Sequence, residues 1–341
     1  MQSSSTYQEI LTQVDAWKDA LHSVVQAQGA IQRLWQQGAY DSIIFTGCGS
    51  THYLALTAAS LTQSKTGRVA RAVPASELLI NPNSVYARQG RTLLVAISRS
   101  GTTTETVQAA QQFVEQKRGE VIVVSCYDDK ALNHSAALTL AAPKGQEVSV
   151  AQTRSFAAML VMVEGLAAAL AGEALRDDLF AGIDQTYVES ALRFAEQYVA
   201  PERYARYFCL GGGARYGLAS EAMLKMKEMS LTSAEPFYPL EFRHGPKSMV
   251  DQETVVVCLL SESGLAAELA LLEEMRGLGA TTLAIGAAAQ ADFVLPNAGV
   301  SLVYLMPVVQ WMAQRRAVSK GVDPDHPRNL EAVIELPALN L

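Results

Sequence analysis

The chain has 341 residues, 49% hydrophobic and 18% charged, which fits two domains of about 150 residues each and excludes a disordered chain. A net charge of −7, with no basic run and no interleaving of basic and aromatic residues, excludes a nucleic-acid-binding surface. Phe156 to Val163 and Leu302 to Val309 are too short to span a membrane, and Met1-Gln-Ser-Ser-Ser-Thr6 lacks the order of a signal peptide, so a cytoplasmic protein acting on small molecules is expected.

From Tyr7 to Gln37, residues such as Ile10, Val14, Trp17, Leu21, Val24, Ile31 and Leu34 recur at helical spacing and predict one or two amphipathic helices packed against the next part of the chain. Ser42-Ile-Ile-Phe-Thr-Gly-Cys-Gly-Ser-Thr51 reads as a strand entering a glycine turn, with a helix from Tyr53 to Leu61. Such a junction is where α/β sheets bind ligands, although a lone G-x-G is not diagnostic. Thr92 to Ile97 is a second strand, followed by Ser98-Arg-Ser-Gly-Thr-Thr-Thr-Glu-Thr106 and a helical pattern from Val107 to Val114. Six hydroxyls in nine residues at a helix start offer neutral donors beside a partial positive charge, a pattern that suits a phosphate. One hydroxyl there would only be an N-cap.

Glu120 to Ser125 is a third strand, and the alternation predicts a parallel, doubly wound sheet. Glu147 to Phe156 leads into a long apolar helix, with Thr153 and Arg154 near its start. Glu173 to Val199 reads as polar amphipathic helices connecting two sheets. Then the pattern repeats. Ile43 to Gly49 resembles Tyr207 to Gly213, and Thr92 to Gly101 resembles Thr254 to Gly264 with one residue added, at nearly the same offset. Where the first copy continues Thr-Thr-Thr-Glu-Thr, the second has Leu-Ala-Ala-Glu-Leu, so only the first keeps the anion site. The expected division is helices over 1–37, an α/β domain over 38–172, connecting helices over 173–200, and a second α/β domain with a tail over 201–341.

The second half carries the residues suited to proton transfer. Glu221, Lys225 and Glu228 share one helix face after the Gly211-Gly-Gly213 turn, two carboxylates flanking an ammonium; such triplets are commonly solvated ion-pair ladders. His244 lies in the turn-forming Glu241-Phe-Arg-His-Gly-Pro246 loop and can pass a proton near neutral pH. His22, His52 and His134 are less suited, and Cys48, Cys126, Cys209 and Cys258 are scattered, indicating neither a disulfide framework nor a zinc site. Three of these cysteines adjoin apolar runs and are expected to be buried thiols, while Cys48 lies in the glycine loop.

Together, Thr46-Gly-Cys-Gly-Ser-Thr51, Ser98-Arg-Ser-Gly-Thr102, Val150-Ala-Gln-Thr-Arg-Ser-Phe156, Glu221 to Glu228, Phe242-Arg-His-Gly-Pro246 and Asp325-His-Pro-Arg-Asn-Leu330 resemble the double sugar-isomerase (SIS) domain family. Within it, the chain is similar to the isomerase half of glucosamine-6-phosphate synthase and to SIS-type hexosamine-6-phosphate deaminases. The resemblance implies two flavodoxin-like α/β domains in tandem. It implies a phosphosugar bound by Ser98, Ser100 and Thr103 with Ser50 and Thr51 nearby, and places Gly49, Arg99, Val150 and Gln152 among the substrate contacts. It implies that Glu228 moves a proton between sugar carbons C1 and C2, that His244 opens the ring, with its loop near a homodimer interface, and that Lys225 belongs to the catalytic group. No metal or cofactor is implied.

Two departures point to the subfamily. The synthase carries a glutaminase before this region, whereas this chain starts Met1-Gln2 and enters a helix, so no built-in ammonia source is expected. The synthase's imine-forming lysine comes after the Asn-Leu of its tail, and here Asn329-Leu-Glu-Ala-Val333 has none; Lys320 is out of register. Both favour an amino-hexose-6-phosphate deaminase and isomerase, most readily on glucosamine 6-phosphate. A fructosamine-6-phosphate deglycase, another phosphosugar isomerase and a phosphosugar-sensing regulator are the alternatives, the last disfavoured by the absence of room for a basic helix-turn-helix.

Overall fold

The computed structural model describes residues 4–200, 202–334 and 336, so the start of the polar amino-terminal stretch, Met1-Gln-Ser3, lies outside the described residues. Two compact units interleave along the chain. One comprises Thr12–Glu147, Arg154–Gly182 and Glu331–Leu341, and the other Met1–Leu11, Val148–Thr153 and Ile183–Leu330.

In chain order the helices and strands are α1 (Ser5–Leu11), α2 (Gln13–Gly38), β1 (Ser42–Gly47), α3 (Ser50–Thr66), β2 (Ala70–Pro74), α4 (Ala75–Ile80), α5 (Pro82–Val85), β3 (Thr92–Ser98), α6 (Thr104–Glu115), β4 (Val121–Ser125), β5 (Leu138–Ala141) and α7 (Arg154–Leu170). They continue as α8 (Gln185–Ala195), β6 (Arg206–Gly211), α9 (Arg215–Ser230), β7 (Ser233–Phe237), β8 (Thr254–Leu259), α10 (Leu265–Gly277), β9 (Thr281–Gly286), β10 (Phe293–Val294) and α11 (Met306–Ser319).

The first unit holds a parallel sheet ordered β2-β1-β3-β4-β5, and the second a parallel sheet ordered β7-β6-β8-β9-β10. The two orders are the same once the strands are matched pair by pair, so the repeat read in the sequence is a repeat of topology. Both are the flavodoxin-like doubly wound order. Every residue of β3, β4 and β8 is buried, as central parallel strands covered on both faces require, which is why their sequences are unbroken apolar runs. On one face of the first sheet, Ile44, Leu94, Ala96, Val121 and Val123 pack with Leu78 of α4 and Phe113 of α6. In the second, Phe208, Leu210, Val256 and Cys258 pack with Leu271, Leu272 and Met275 of α10. Fully burying each such large side chain contributes about 1.5–3 kcal/mol, so these clusters hold the strand ends in place.

Three expectations are corrected. Helices α3 and α6 begin three residues earlier than their apolar patterns, at Ser50 and Thr104, because small hydroxyl residues form their first turns. Of Glu173 to Val199 only Gln185–Ala195 is α-helical, starting where the Asp184 carboxylate accepts the Thr186 N–H at 2.9 Å, with a 3-10 turn at Glu196–Tyr198 after it. Helix α1 packs not against the sheet nearest to it in sequence but within the second unit, where Tyr7 meets Trp311 of α11 at 5.0 Å between ring centroids.

Candidate active site

In each unit the chain turns one way from the first strand and the other way from the third, so the loops after β1 and β3, and after β6 and β8, adjoin at the carboxyl ends of neighbouring strands. In the first unit these loops are Gly47-Cys-Gly49 and Ser98 to Thr103. The Gly101 N–H donates to Ser98 Oγ at 3.1 Å, and the Thr102 N–H and hydroxyl donate to Ser100 Oγ at 3.2 and 3.1 Å. A hydroxyl that accepts in this way keeps its O–H to donate. Gly101 has φ +68°, and a Cβ there would come within 2.7 Å of the Lys130 side chain, so the loop requires glycine. Thr103 precedes α6 without capping it by side chain, and Gly49 does the same for α3. Two helix starts therefore leave their first N–H groups without a side-chain cap beside a cluster of hydroxyls, the arrangement an anion needs. Ser50 and Thr51 are buried in the first turn of α3, and Thr51 Oγ1 accepts the Cys48 N–H at 2.9 Å.

Arg99, between the two serines, is committed elsewhere. Its guanidinium pairs with the fully buried Glu147 carboxylate at 3.4 Å and donates to the Ala332 carbonyl. Glu147 also accepts from Ser155 at the start of α7, and the Leu336 N–H donates to Thr104 Oγ1 at 2.9 Å, so the tail lies against the hydroxyl loop. Arg154 donates to the Gln146 carbonyl and to Thr12 Oγ1. Cys48 Sγ stands 3.6 Å from Thr106 Oγ1, and burial pushes its thiol up to about 11, so it is protonated at neutral pH; the other three cysteines are buried.

The matching position in the second unit is filled differently. Gly264 N–H donates to Ser261 Oγ at 3.0 Å, the same turn as Ser98 and Gly101 make. Here Glu268, from the first turn of α10, accepts the Ser261 N–H and hydroxyl, each at 2.7 Å. This carboxylate is buried and lies so close that a Cβ on Gly264 would be 2.7 Å from it. The second unit thus fills its strand-end cleft with its own anion.

What the second unit presents is helix α9. Lys225 Nζ lies 2.6 Å from Glu228 Oε2 and 3.2 Å from Glu221 Oε1, so the predicted common face is observed. It is no solvated ladder. Lys225 and Glu221 are fully buried, and only Glu228, with 20% of its side chain exposed, is reachable. Burial alone would depress the Lys225 ammonium, but the carboxylates of Glu221 and Glu228 outweigh it and hold the pKa above that of an ordinary lysine. A positive field from Lys225 is accordingly cancelled by its own helix. His244 is exposed between two 3-10 turns, Glu241–Arg243 and Pro246–Met249. Phe242 anchors the loop against Phe208 and Phe237, and Glu274 of α10 braces it on both sides of the histidine, through Arg243 at 2.7 Å and Lys247 at 3.0 Å. Val150 and Gln152 lie in Val148–Thr153, which also belongs to the second unit. Glu147, Glu268 and Glu274 had no sequence signal: each acts on a partner from another element.

The SIS domain family model matches residues 39–169 and 203–292. The chain belongs to the SIS domain family. This SIS chain is 29% identical over 349 residues to the glutamine–fructose-6-phosphate aminotransferase (isomerizing) of Pyrococcus horikoshii, which covers 94% of it and 56% of the relative, so it spans about half the length of that curated relative. It is 29% identical over 301 residues to the candidate D-galactosamine-6-phosphate deaminase AgaS of Escherichia coli (strain K12), covering 84% of this chain and 75% of that one. Among solved structures, the glucosamine-6-phosphate deaminase of Thermotoga maritima superposes with a TM-score of 0.77 at 27% identity, covering 93% of this chain and 100% of that one. No helix among the described residues of this chain is long and apolar enough to cross a membrane.

Proposed function

We propose that the protein is an amino-hexose-6-phosphate deaminase and isomerase that converts glucosamine 6-phosphate and water to fructose 6-phosphate and ammonia. The observation that carries the reading is the α9 cluster: a reachable carboxylate, Glu228, held by a buried ammonium whose second partner is a buried carboxylate. In this reading the hydroxyls of Ser98, Ser100 and Thr103 and the starts of α3 and α6 bind the phosphate. His244 assists ring opening to the aldehyde. Glu228 takes the C2 proton to give an enolamine and returns it at C1, which leaves an imine at C2. Water adds to that imine and expels the amine as ammonia, so the substrate's own nitrogen takes the part an enzyme lysine would otherwise play.

Support for deamination comes from Lys320, whose ammonium donates to the Ser230 and Leu231 carbonyls at 2.7 and 3.1 Å and so caps the end of α9 instead of serving as an amine nucleophile. Of the similar proteins, one is named a glucosamine-6-phosphate deaminase and another a candidate D-galactosamine-6-phosphate deaminase. The reading includes a homodimer with the His244 loop near its interface, supported by exposed Tyr238, Leu240 and Met249 around that loop; a monomer in sedimentation at micromolar concentration would remove that part.

The test of the reading is to incubate the protein with glucosamine 6-phosphate, galactosamine 6-phosphate and a fructosamine 6-phosphate while monitoring ammonia and ketose. Ammonia from a hexosamine phosphate is expected, and turnover of the conjugate alone would replace the reading with a deglycase. Ser100→Ala and Thr103→Ala each raise KM by about tenfold with kcat little changed, the signature of a phosphate anchor that binds ground and transition states alike, near 1.4 kcal/mol per substitution. A fall in kcat at unchanged KM in steady-state kinetics would contradict that role.

A further inference from the structure

Helix α1 carries Glu9, a carboxylate that is only 4% exposed although it sits on a helix of seven residues near the start of the chain. A buried carboxylate persists only where donors satisfy it. Glu9 finds them in another part of the sequence: it accepts the Val148 N–H at 2.5 Å, the Ser149 N–H at 3.3 Å and the Ser149 hydroxyl. The segment it grips is the one carrying Val150 and Gln152.

The grip has other points. The Asp325 carboxylate accepts the Ser5 and Thr6 N–H groups at 2.7 and 2.8 Å and the Thr6 hydroxyl at 2.6 Å, fixing the start of α1, while the Asp325 carbonyl accepts the Val150 N–H at 3.3 Å. Gln310 of α11 donates to the Thr153 carbonyl at 2.9 Å, closing the far end of the segment. Within this fixed strip, Gln152 Oε1 is buried with no hydrogen-bond partner among the described residues. An unmet acceptor on a braced backbone is what a site for a donor-bearing ligand looks like, since a buried polar atom without a partner is costly.

We infer that Glu9 is a positioning residue: through Val148 and Ser149 it sets the backbone that presents Val150 and Gln152 to the sugar, and Gln152 Oε1 accepts from a hydroxyl or amino group of the bound substrate. The inference rests on the phosphosugar reading for its ligand. Its mechanical half, that Glu9 sets the order of residues 150–152, does not. Charge matters as well as shape. A carboxylate receives three donors without conflict, whereas a glutamine brings an NH2 against donors and so restores only part of the grip.

Two readouts separate the outcomes. In hydrogen exchange of the full chain, Glu9→Ala speeds the amides of Val150, Ala151 and Gln152 at least tenfold while those of β6 and β8 keep their protection. In kinetics with glucosamine 6-phosphate, Glu9→Ala raises KM about tenfold with a smaller change in kcat, and Glu9→Gln, the variant to use should the alanine protein not fold, falls between it and the parent. Unchanged exchange at 150–152 overturns the inference, and so does faster exchange with an unchanged KM, which would leave Glu9 a structural contact only. If the parent protein turns over no hexosamine phosphate, the proposed function fails, and the exchange result still decides the role of Glu9.

Discussion

Glu228→Gln lowers kcat for glucosamine 6-phosphate by about 10³-fold while phosphosugar affinity stays within about threefold, because a positioned general base supplies roughly 10²–10⁴ of rate and a neutral amide cannot take the C2 proton. The substitution is a clean one. Glutamine keeps an oxygen for Lys225 Nζ, now 2.6 Å from Glu228 Oε2, and leaves the buried Lys225–Glu221 pair in place, so the fold is expected to hold. The loss corresponds to about 4 kcal/mol of transition-state stabilisation. Isothermal titration with the substrate alongside kcat measurement separates the two effects, and survival of activity would mean that the base lies elsewhere.

Lys225→Met destabilises the protein by about 3–5 kcal/mol and also removes activity, the larger stability effect of any single change considered. Removing one partner of a buried ion pair leaves the other charge uncompensated, and here the ammonium compensates two carboxylates, of which Glu221 has no exposed surface. The pH dependence has the same sign in the two proteins but falls in different windows. In the parent, the Lys225 pKa is raised by folding, so its contribution is complete below the ordinary lysine value of 10.5 and is lost only as pH rises through the higher folded value. In the variant, the uncompensated charge of the fully buried Glu221 is what costs stability, and protonating it relieves that cost, so the stability gap between the two proteins narrows as pH falls towards 5 and widens towards 8. Urea unfolding at both pH values checks this, and a gap independent of pH would mean that Glu221 and Glu228 find other donors when Lys225 is gone.

Much of this was legible because it is local. Strand and helix alternation, the duplicated unit and the hydroxyl loop are written in stretches of ten residues or fewer, and the common face of Glu221, Lys225 and Glu228 comes from helical period alone. Whether that face is buried does not come from period, since it depends on what packs over α9, and the charges themselves argue for solvent. The same limit hid the carboxylates that organise the loops. Val148 and Glu9 are 139 residues apart, and Ser5 and Asp325 are 320 apart, so no window of sequence joins them. Glu105 and Glu268 occupy matching positions of the repeat, four residues after Gly101 and Gly264, yet only Glu268 accepts the donors of its own loop. Composition could show that the second loop lacks hydroxyls after its glycine; only the structure shows that it supplies an anion of its own.

The most direct measurement of the central claim tracks the C2 hydrogen. Glucosamine 6-phosphate deuterated at C2 is incubated with the protein in ordinary water, and product ammonia is quantified while the label at C1 and C2 is read by NMR. The account predicts one ammonia per fructose 6-phosphate, loss of deuterium from C2 with part of it delivered to C1, and none of this with Glu228→Gln. Ammonia released with the C2 deuterium still in place, or release that persists in Glu228→Gln, would contradict it.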